Sequence, residues 1–245
     1  MPDPASTAAA FVVLAGGAGS RVGVGVNKVF LPLAGRAAVS WSFAAAAEVP
    51  EVGVLLLVAR EPDLSLARTV LDRDLLGTEV EIVPGGATRH GSEQAGLAAL
   101  AGRIHSGRIG LVAIHDGARP LVTPDLIRRV LAEAGRVGGA VPVIAAGGLL
   151  RHSPGGLGPG SGHDLVRVQT PQAFRAPALL AAFAAAGAAG QHGTDTASTV
   201  EAFGSLQVST VAGSAQNIKI TYPDDVRAAE RLLGSRIRSD SARTD

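Results

Sequence analysis

FVVLAGGAGSRVGVGVNKVFLPL, residues 11–33, decides the reading of this chain. An uncharged, β-prone run breaks into glycines, then into Arg21 and, seven residues on, Lys28. Phe11, Val12, Val13 and Leu14 suit a strand buried on both faces of a parallel sheet. Such a strand delivers the next loop to the edge of the sheet. There Gly16, Gly17 and Gly19 let the backbone turn sharply and aim successive amides at one anion. Arg21 and Lys28 add the full positive charges that a triphosphate needs before a nucleophile of the same sign can approach it. The stretch points to phosphate chemistry.

A glycine-rich turn after a strand is common and by itself proves little. Its spacing fits neither GxxxxGK[ST] nor GxGxxG with an acidic residue about 20 positions on, which counts against a P-loop ATPase and a dinucleotide-binding dehydrogenase. With Arg21 and Lys28 included, the stretch resembles the nucleoside-triphosphate loop of sugar-nucleotide pyrophosphorylases and related nucleotidyltransferases.

The whole sequence sets wider bounds. Its 245 residues, 47% hydrophobic with positive mean hydropathy, can bury the core of one α/β domain. A formal charge of +1 from 22 basic and 21 acidic residues, without a basic block, counts against nucleic acid as a partner. There are no cysteines, so disulfides and thiolate metal sites are excluded, as suits a cytoplasmic enzyme. Met1–Ala10 lack the features of a signal peptide, and no run of about 18 uncharged apolar residues occurs, so a soluble protein without membrane partners is expected.

Strand-like and helix-like segments then alternate. Helices are predicted over 37–47, 62–76, 92–103 and 124–134, the last capped by Thr123, with strands over 52–59, 80–83, 110–114 and 139–144. Further on, 176–186, 195–202 and 224–233 read as helices and 207–211 as a strand. Residues 235–245 are polar and are expected to be disordered. This βαβ alternation predicts a single Rossmann-like α/β domain over 8–234, with a mostly parallel twisted sheet and flanking helices. Ligands should gather at the carboxyl ends of its strands.

Two of those ends are polar. PGGATRHGS, residues 84–92, offers Gly85 and Gly86 for close backbone approach and a hydroxyl on Ser92; a glycine turn with a serine N-cap accounts for these residues equally well. HDGARP, residues 115–120, places an acid and a base directly after an apolar strand. Asp116 there suits a Mg²⁺ bridging phosphates or the hydroxyls of a substrate, and Arg119 suits an anion. The alternative is that Asp116 and Arg119 pair with each other while His115 is structural.

HDGARP, VQTPQAF (168–174), TDTAS (194–198) and NIKIT (217–221) follow LAGGAGSR and NKVF in one order. Together they resemble the 2-C-methyl-D-erythritol 4-phosphate cytidylyltransferase family, whose relatives acting on ribitol 5-phosphate share these motifs. The resemblance covers residues 11–233. It implies transfer of CMP from CTP to the phosphate of a polyol phosphate, with loss of pyrophosphate, in a Mg²⁺-dependent cytoplasmic homodimer. Positioning and charge neutralisation should carry such a step. By the same resemblance, Arg21, Lys28 and Lys219 serve the reacting phosphates, and the backbone of Ala15, Gly16, Gly17, Ala18 and Gly19 cradles the triphosphate. Gly86 and Ser92 match nucleoside contacts. Asp116, Arg119 and Thr170 match contacts to the polyol or its phosphate, while the candidate metal role of Asp116 rests on its place at the end of the apolar strand. Without the family, Lys219 would read as a solvated strand-end lysine and Thr170 as a turn hydroxyl.

GGLLRHSPGGLGPGSG, residues 147–162, has the composition of a surface loop. The resemblance makes it the start of a β-arm over 147–168 that pairs two subunits and completes the acceptor pocket. Here the chain departs from the family pattern. Where relatives carry Pro-Val followed shortly by Asp-Thr, this chain has Pro142, Val143, Ile144, Ala145 and Ala146 with no threonine, and the position of an expected arginine falls near Gly162. Losing a hydroxyl and a guanidinium from a phosphate site would each cost about 1.5 to 3 kcal/mol unless replaced. Arg151, His152 and Arg167 are the candidate replacements. The departure leaves three readings open: the methylerythritol phosphate enzyme, a cytidylyltransferase with another acceptor such as ribitol phosphate, and a nucleotide-binding paralogue with a degenerate acceptor site.

Overall fold

The computed structural model describes residues 7–17, 27–147, 150–153, 156–159, 165–191, 193 and 195–244. In chain order the elements are β1 (Ala8–Ala15), a hairpin of β2 (Pro32–Leu33) and β3 (Arg36–Ala37), α1 (Ala38–Ala47), β4 (Val52–Ala59), α2 (Leu64–Asp74), β5 (Glu81–Pro84) and α3 (Arg89–His105). They continue with β6 (Ile109–Asp116), α4 (Pro124–Val137), β7 (Gly138–Ala145), β8 (Leu150–Ser153), β9 (Gly156–Pro159), β10 (Val166–Val168) and β11 (Gln172–Arg175). The last are α5 (Ala176–Ala188), α6 (Thr196–Phe203), β12 (Gln207–Ala212) and α7 (Pro223–Thr244).

The uncharged run around Phe11 forms the centre of the sheet. Parallel pairing joins β1 to both β4 and β6, and β4 to β5. Beyond β6 the sheet changes direction: β11 runs antiparallel to both β6 and β7, β10 is antiparallel to β7, and β12 is parallel to it. The expected α/β fold with a mostly parallel sheet is therefore borne out.

Alternate residues of β1 face opposite cores, as a strand's period of two requires. Phe11 and Val13 pack with Val39 and Phe43 of α1, Val70 and Leu71 of α2, and Ile127 and Val130 of α4. Ala10, Val12 and Leu14 face Leu97 and Leu100 of α3, Phe183 of α5 and Val200 of α6. Phe11 is fully buried, and truncating such a side chain typically costs about 3 to 5 kcal/mol. Thr123 caps α4, its hydroxyl accepting from the Leu126 amide, and Gly138 ends that helix at φ +126°, where a side chain would be strained.

Several local expectations change. Helix α3 starts at Arg89 rather than Ser92, because Thr88 is its cap and accepts from the Gly91 amide at 3.0 Å. The expected disordered segment 235–245 is instead helical as far as Thr244, continuous with α7. No proline interrupts it, and Ala229 and Leu233 anchor the helix in a small core with Leu33, Leu121 and Ile220. Within the glycine-rich segment, β8 and β9 pair antiparallel as a two-stranded ribbon apart from the main sheet. Among the described residues no helix is long and apolar enough to cross a membrane.

Candidate active site

Strands β6, β1, β4 and β5 lie side by side in that order, and a groove of about 290 Å³ opens at their carboxyl ends, lined by Gly16, Gly17, Lys28, Arg89, Asp116 and Lys219 among others. Close backbone approach shapes its wall. A Cβ on Gly86 would come within 2.8 Å of the Gly91 backbone, and one on Gly85 within 2.8 Å of the Ser92 hydroxyl. Only glycines let the β5–α3 turn fold this tightly beside the groove. Ser92 lines it from the first turn of α3, its hydroxyl donating to Thr88 and Gly86 carbonyls at 3.0 and 3.3 Å.

Lys28 is delivered by a buried asparagine. The Asn27 amide donates to the Ala15 carbonyl at 2.6 Å and to Asp63 Oδ2 at 2.9 Å, and its oxygen accepts from Val29 N at 3.4 Å. Asp63 is gripped in turn by Arg60, whose Nε lies 2.7 Å away. Burial raises the Asp63 carboxyl, but hydrogen bonds from Arg60 and Asn27 outweigh it and hold it below the usual carboxylate range. Asn27 thus ties the far end of the glycine loop back to the end of β1. Arg21, Ala18 and Gly19 lie outside the described residues.

Asp116 is the hub of the site. Arg89 donates to its Oδ1, Lys219 Nζ donates to Oδ2 at 2.8 Å, and Arg119 Nε stands 3.9 Å from Oδ2. Burial pushes its carboxyl up, but the Arg89 and Lys219 charges overcome that and hold it far below the ordinary value. Arg119 pairs with Asp116 only loosely and donates Nη1 to the Asn217 carbonyl at 2.7 Å, while burial lowers its affinity for its proton.

His115 is fully buried and sits beneath this hub. Its Nε2 lies 3.1 Å from the Arg119 carbonyl and its Nδ1 3.0 Å from Thr170 Oγ1, which also accepts from the Asp116 amide at 3.0 Å. A carbonyl only accepts, so Nε2 carries the hydrogen and, in the neutral ring, Nδ1 accepts from Thr170. Burial pushes His115 down to about 4, which keeps it neutral. His115 is structural, and the Thr170 hydroxyl is engaged in this relay, just before a cis Thr170–Pro171 bond.

Lys219 arrives on a loop pinned by buried amides. Gln169 accepts from Ser214 N at 3.1 Å and donates to its carbonyl at 2.8 Å, Asn217 Nδ2 donates to the Thr170 carbonyl at 2.9 Å, and Ile220 N donates to Ala118 O at 2.8 Å. A second, more open cleft of about 560 Å³ lies beyond it, lined by Arg119, Ile144, Arg167 and Gln169 among others. Among the described residues, Lys219 alone lines both clefts. Arg167 thus reaches the second cleft, whereas the side chains of Arg151 and His152, and Gly162, lie outside the described residues.

Sequence reasoning missed Arg89, Glu93 and Asn27. Arg89 carried a usable signal. A cation in the first turn of a helix opposes the dipole and calls for a carboxylate or an anion beside it.

As a metal site the cluster is sparse. Among the described residues no three histidines, aspartates or glutamates gather, and Asp116, the sole carboxylate lining the groove, has both oxygens on cations. These residues fit a cation brought in by the phosphates, with at most one protein carboxylate touching it.

A family model for 2-C-methyl-D-erythritol 4-phosphate cytidylyltransferase matches residues 9–235. The chain is 40% identical over 228 residues to the protein of that name from Cereibacter sphaeroides, covering 91% of this chain and 96% of that one. It is 36% identical to another from Desulforamulus reducens over 229 residues, covering 92% and 95%. Among solved structures, the 2-C-methyl-D-erythritol 4-phosphate cytidylyltransferase of Thermus thermophilus superposes with a TM-score of 0.70 at 30% identity, covering 91% and 97%. The 4-diphosphocytidyl-2C-methyl-D-erythritol synthase of Anaerococcus prevotii reaches 0.80 at 23% identity, covering 94% and 97%, a likeness of fold.

Proposed function

The chain belongs to the 2-C-methyl-D-erythritol 4-phosphate cytidylyltransferase family, and from that premise we propose how its own residues divide the work. The enzyme transfers CMP from CTP to the phosphate of 2-C-methyl-D-erythritol 4-phosphate, a step of isoprenoid precursor synthesis. An acceptor phosphate oxygen attacks the α-phosphorus of CTP, the bond to the β-phosphate oxygen breaks, and pyrophosphate leaves with the electron pair.

In our reading the first groove holds CTP. The Ala15–Gly19 backbone, with Arg21 and Lys28, takes the triphosphate, while Gly86 and Ser92 take the nucleoside. The second cleft holds the acceptor, with Arg119 and Arg167 facing its phosphate and Thr170 acting from beneath through His115 and the Asp116 amide. The observation that carries this assignment is the place of Lys219, which lines both clefts. Its ammonium lies where the acceptor phosphate and the α-phosphate would meet, and its charge offsets what accumulates there in the transition state. Asp116 would hold a Mg²⁺ carried by the triphosphate, and the ion would supply screening of the phosphates' negative charge.

We place this enzyme in the cytoplasm as a homodimer. Leu165, Val166 and Val168, which are 52%, 46% and 43% exposed, form an apolar edge beside the second cleft. A partner's arm laid along that edge would cover it and close the acceptor pocket.

Ile144 favours a second reading, because it gives the second cleft an apolar wall near where the family resemblance leads one to expect Asp-Thr. Under that reading the acceptor is ribitol 5-phosphate or a related polyol phosphate. Pyrophosphate release from Mg²⁺–CTP, measured with methylerythritol phosphate, with ribitol phosphate and without acceptor, decides between them. Release with methylerythritol phosphate is expected; release with ribitol phosphate alone would transfer the function to the second reading.

A further inference from the structure

Glu93, the single carboxylate of α3, is 1% exposed and lines neither cleft. Its Oε1 accepts from Arg89 Nε at 3.0 Å and from the Thr196 hydroxyl at 2.8 Å. Thr196 is itself fully buried at the start of α6. A buried acid–base pair is often no more stable than an apolar pair of the same volume, so stability alone does not account for it. What the pair achieves is orientation. Arg89 stands at the first residue of α3, where the helix dipole repels a cation. Glu93, one turn on, holds the inner edge of its guanidinium and leaves Nη1 aimed at Asp116. A continuous chain of polar contacts results: Thr196, Glu93, Arg89, Asp116, Lys219.

We propose that Glu93 is a positioning residue for CMP transfer, acting through Arg89 and Asp116 on Lys219. Asp116 has two close cationic partners, Arg89 and Lys219, on different oxygens. When the reacting phosphates enter, Lys219 turns towards them, and Asp116 keeps a counter-charge because Glu93 holds Arg89 in place. Without Glu93 the guanidinium is released from one side, Lys219 becomes the main counter-ion of Asp116, and its transfer to the phosphates is opposed. Glu93 touches no substrate; it makes the lysine available.

This inference rests on the reading of Lys219 given above, and the test separates the two. Single-turnover CMP transfer at saturating Mg²⁺–CTP and methylerythritol phosphate is measured for Glu93→Gln, Lys219→Ala and the double variant, with KM for CTP and thermal unfolding alongside. Glu93→Gln should slow transfer about tenfold while KM for CTP stays within about twofold, and in the Lys219→Ala background it should change transfer less than about twofold. Thr196→Val removes the contact behind Glu93 without touching a charge. It should give about a threefold loss with the same dependence on Lys219, and it serves as the test if Glu93→Gln does not fold. Unchanged transfer in both variants, or the same loss with and without Lys219, overturns the inference and leaves the role of Lys219 standing. Transfer unaffected by Lys219→Ala overturns both.

Discussion

The two clefts meeting at Lys219 are built differently. The cleft we assign to CTP is bounded by the ends of β1, β5 and β6, and its key groups are held by hydrogen-bonded partners: Asn27 on Ala15 and Asp63, Asp116 on Arg89 and Lys219. The cleft proposed for the acceptor lies against β10, a short strand whose Val166, Arg167 and Val168 are all exposed. Phosphate chemistry explains the contrast. A triphosphate demands several fixed charges, which one chain supplies from its rigid centre. The cleft proposed for the acceptor lies at an edge, where small substitutions can reshape it without disturbing the core.

Substitutions can break this contrast, and the largest effect is expected at Lys28. Lys28→Ala should leave measurable CTP binding and lower turnover about 10²- to 10³-fold, since a fixed charge aimed at the reacting phosphates is lost. Equilibrium binding beside steady-state turnover checks this; untouched turnover would remove Lys28 from the chemistry. On the acceptor side, Arg167→Ala should raise KM for the acceptor about tenfold and leave KM for CTP unchanged, the size of one charge-assisted contact. An unchanged acceptor KM would exclude Arg167 from the pocket.

Smaller effects sharpen the contrast. Asn27→Ala should raise KM for CTP severalfold and lower Tm, because removing the amide orphans buried partners at a cost of about 1 to 3 kcal/mol. A matching rise in the acceptor KM would contradict the division of labour. The smallest effect concerns pH and stability. His115 is neutral in the fold down to about pH 4, whereas the unfolded chain takes up its proton below about pH 6.5. The unfolded state therefore binds more protons between those values, and stability falls as pH drops from about 6.5 to 4. Asp116, whose folded carboxyl is depressed, adds stability above its unfolded value and loses it only in stronger acid. Tm measured against pH for His115→Gln should be flatter over that upper window than for the parent chain.

The same contrast separates what the sequence disclosed from what it did not. β1, Gly16 and Gly17 at its end, Lys28 and the strand leading into Asp116 were legible because each belongs to a local run whose pattern needs no partner. The polar hub was not. Arg89 joins Asp116 across 27 residues and Glu93 joins Thr196 across 103, and no local periodicity encodes such pairings. Ser92 drew the helix start because it is a good cap, yet Thr88 took the position. The helical course of α7 beyond Leu233 was hidden by its polarity, since a solvated helix and a disordered tail share a composition. The family resemblance, carried by motifs in a fixed order, agrees with the family match over residues 9–235.

The most direct test of the account is Lys219→Ala, with turnover measured while CTP and the acceptor are varied in turn. Since Lys219 lines both clefts, kcat should fall at least about 100-fold whichever substrate is varied, with neither KM moving more than about tenfold. A loss expressed only in the KM of one substrate would assign Lys219 to a single cleft and contradict the account.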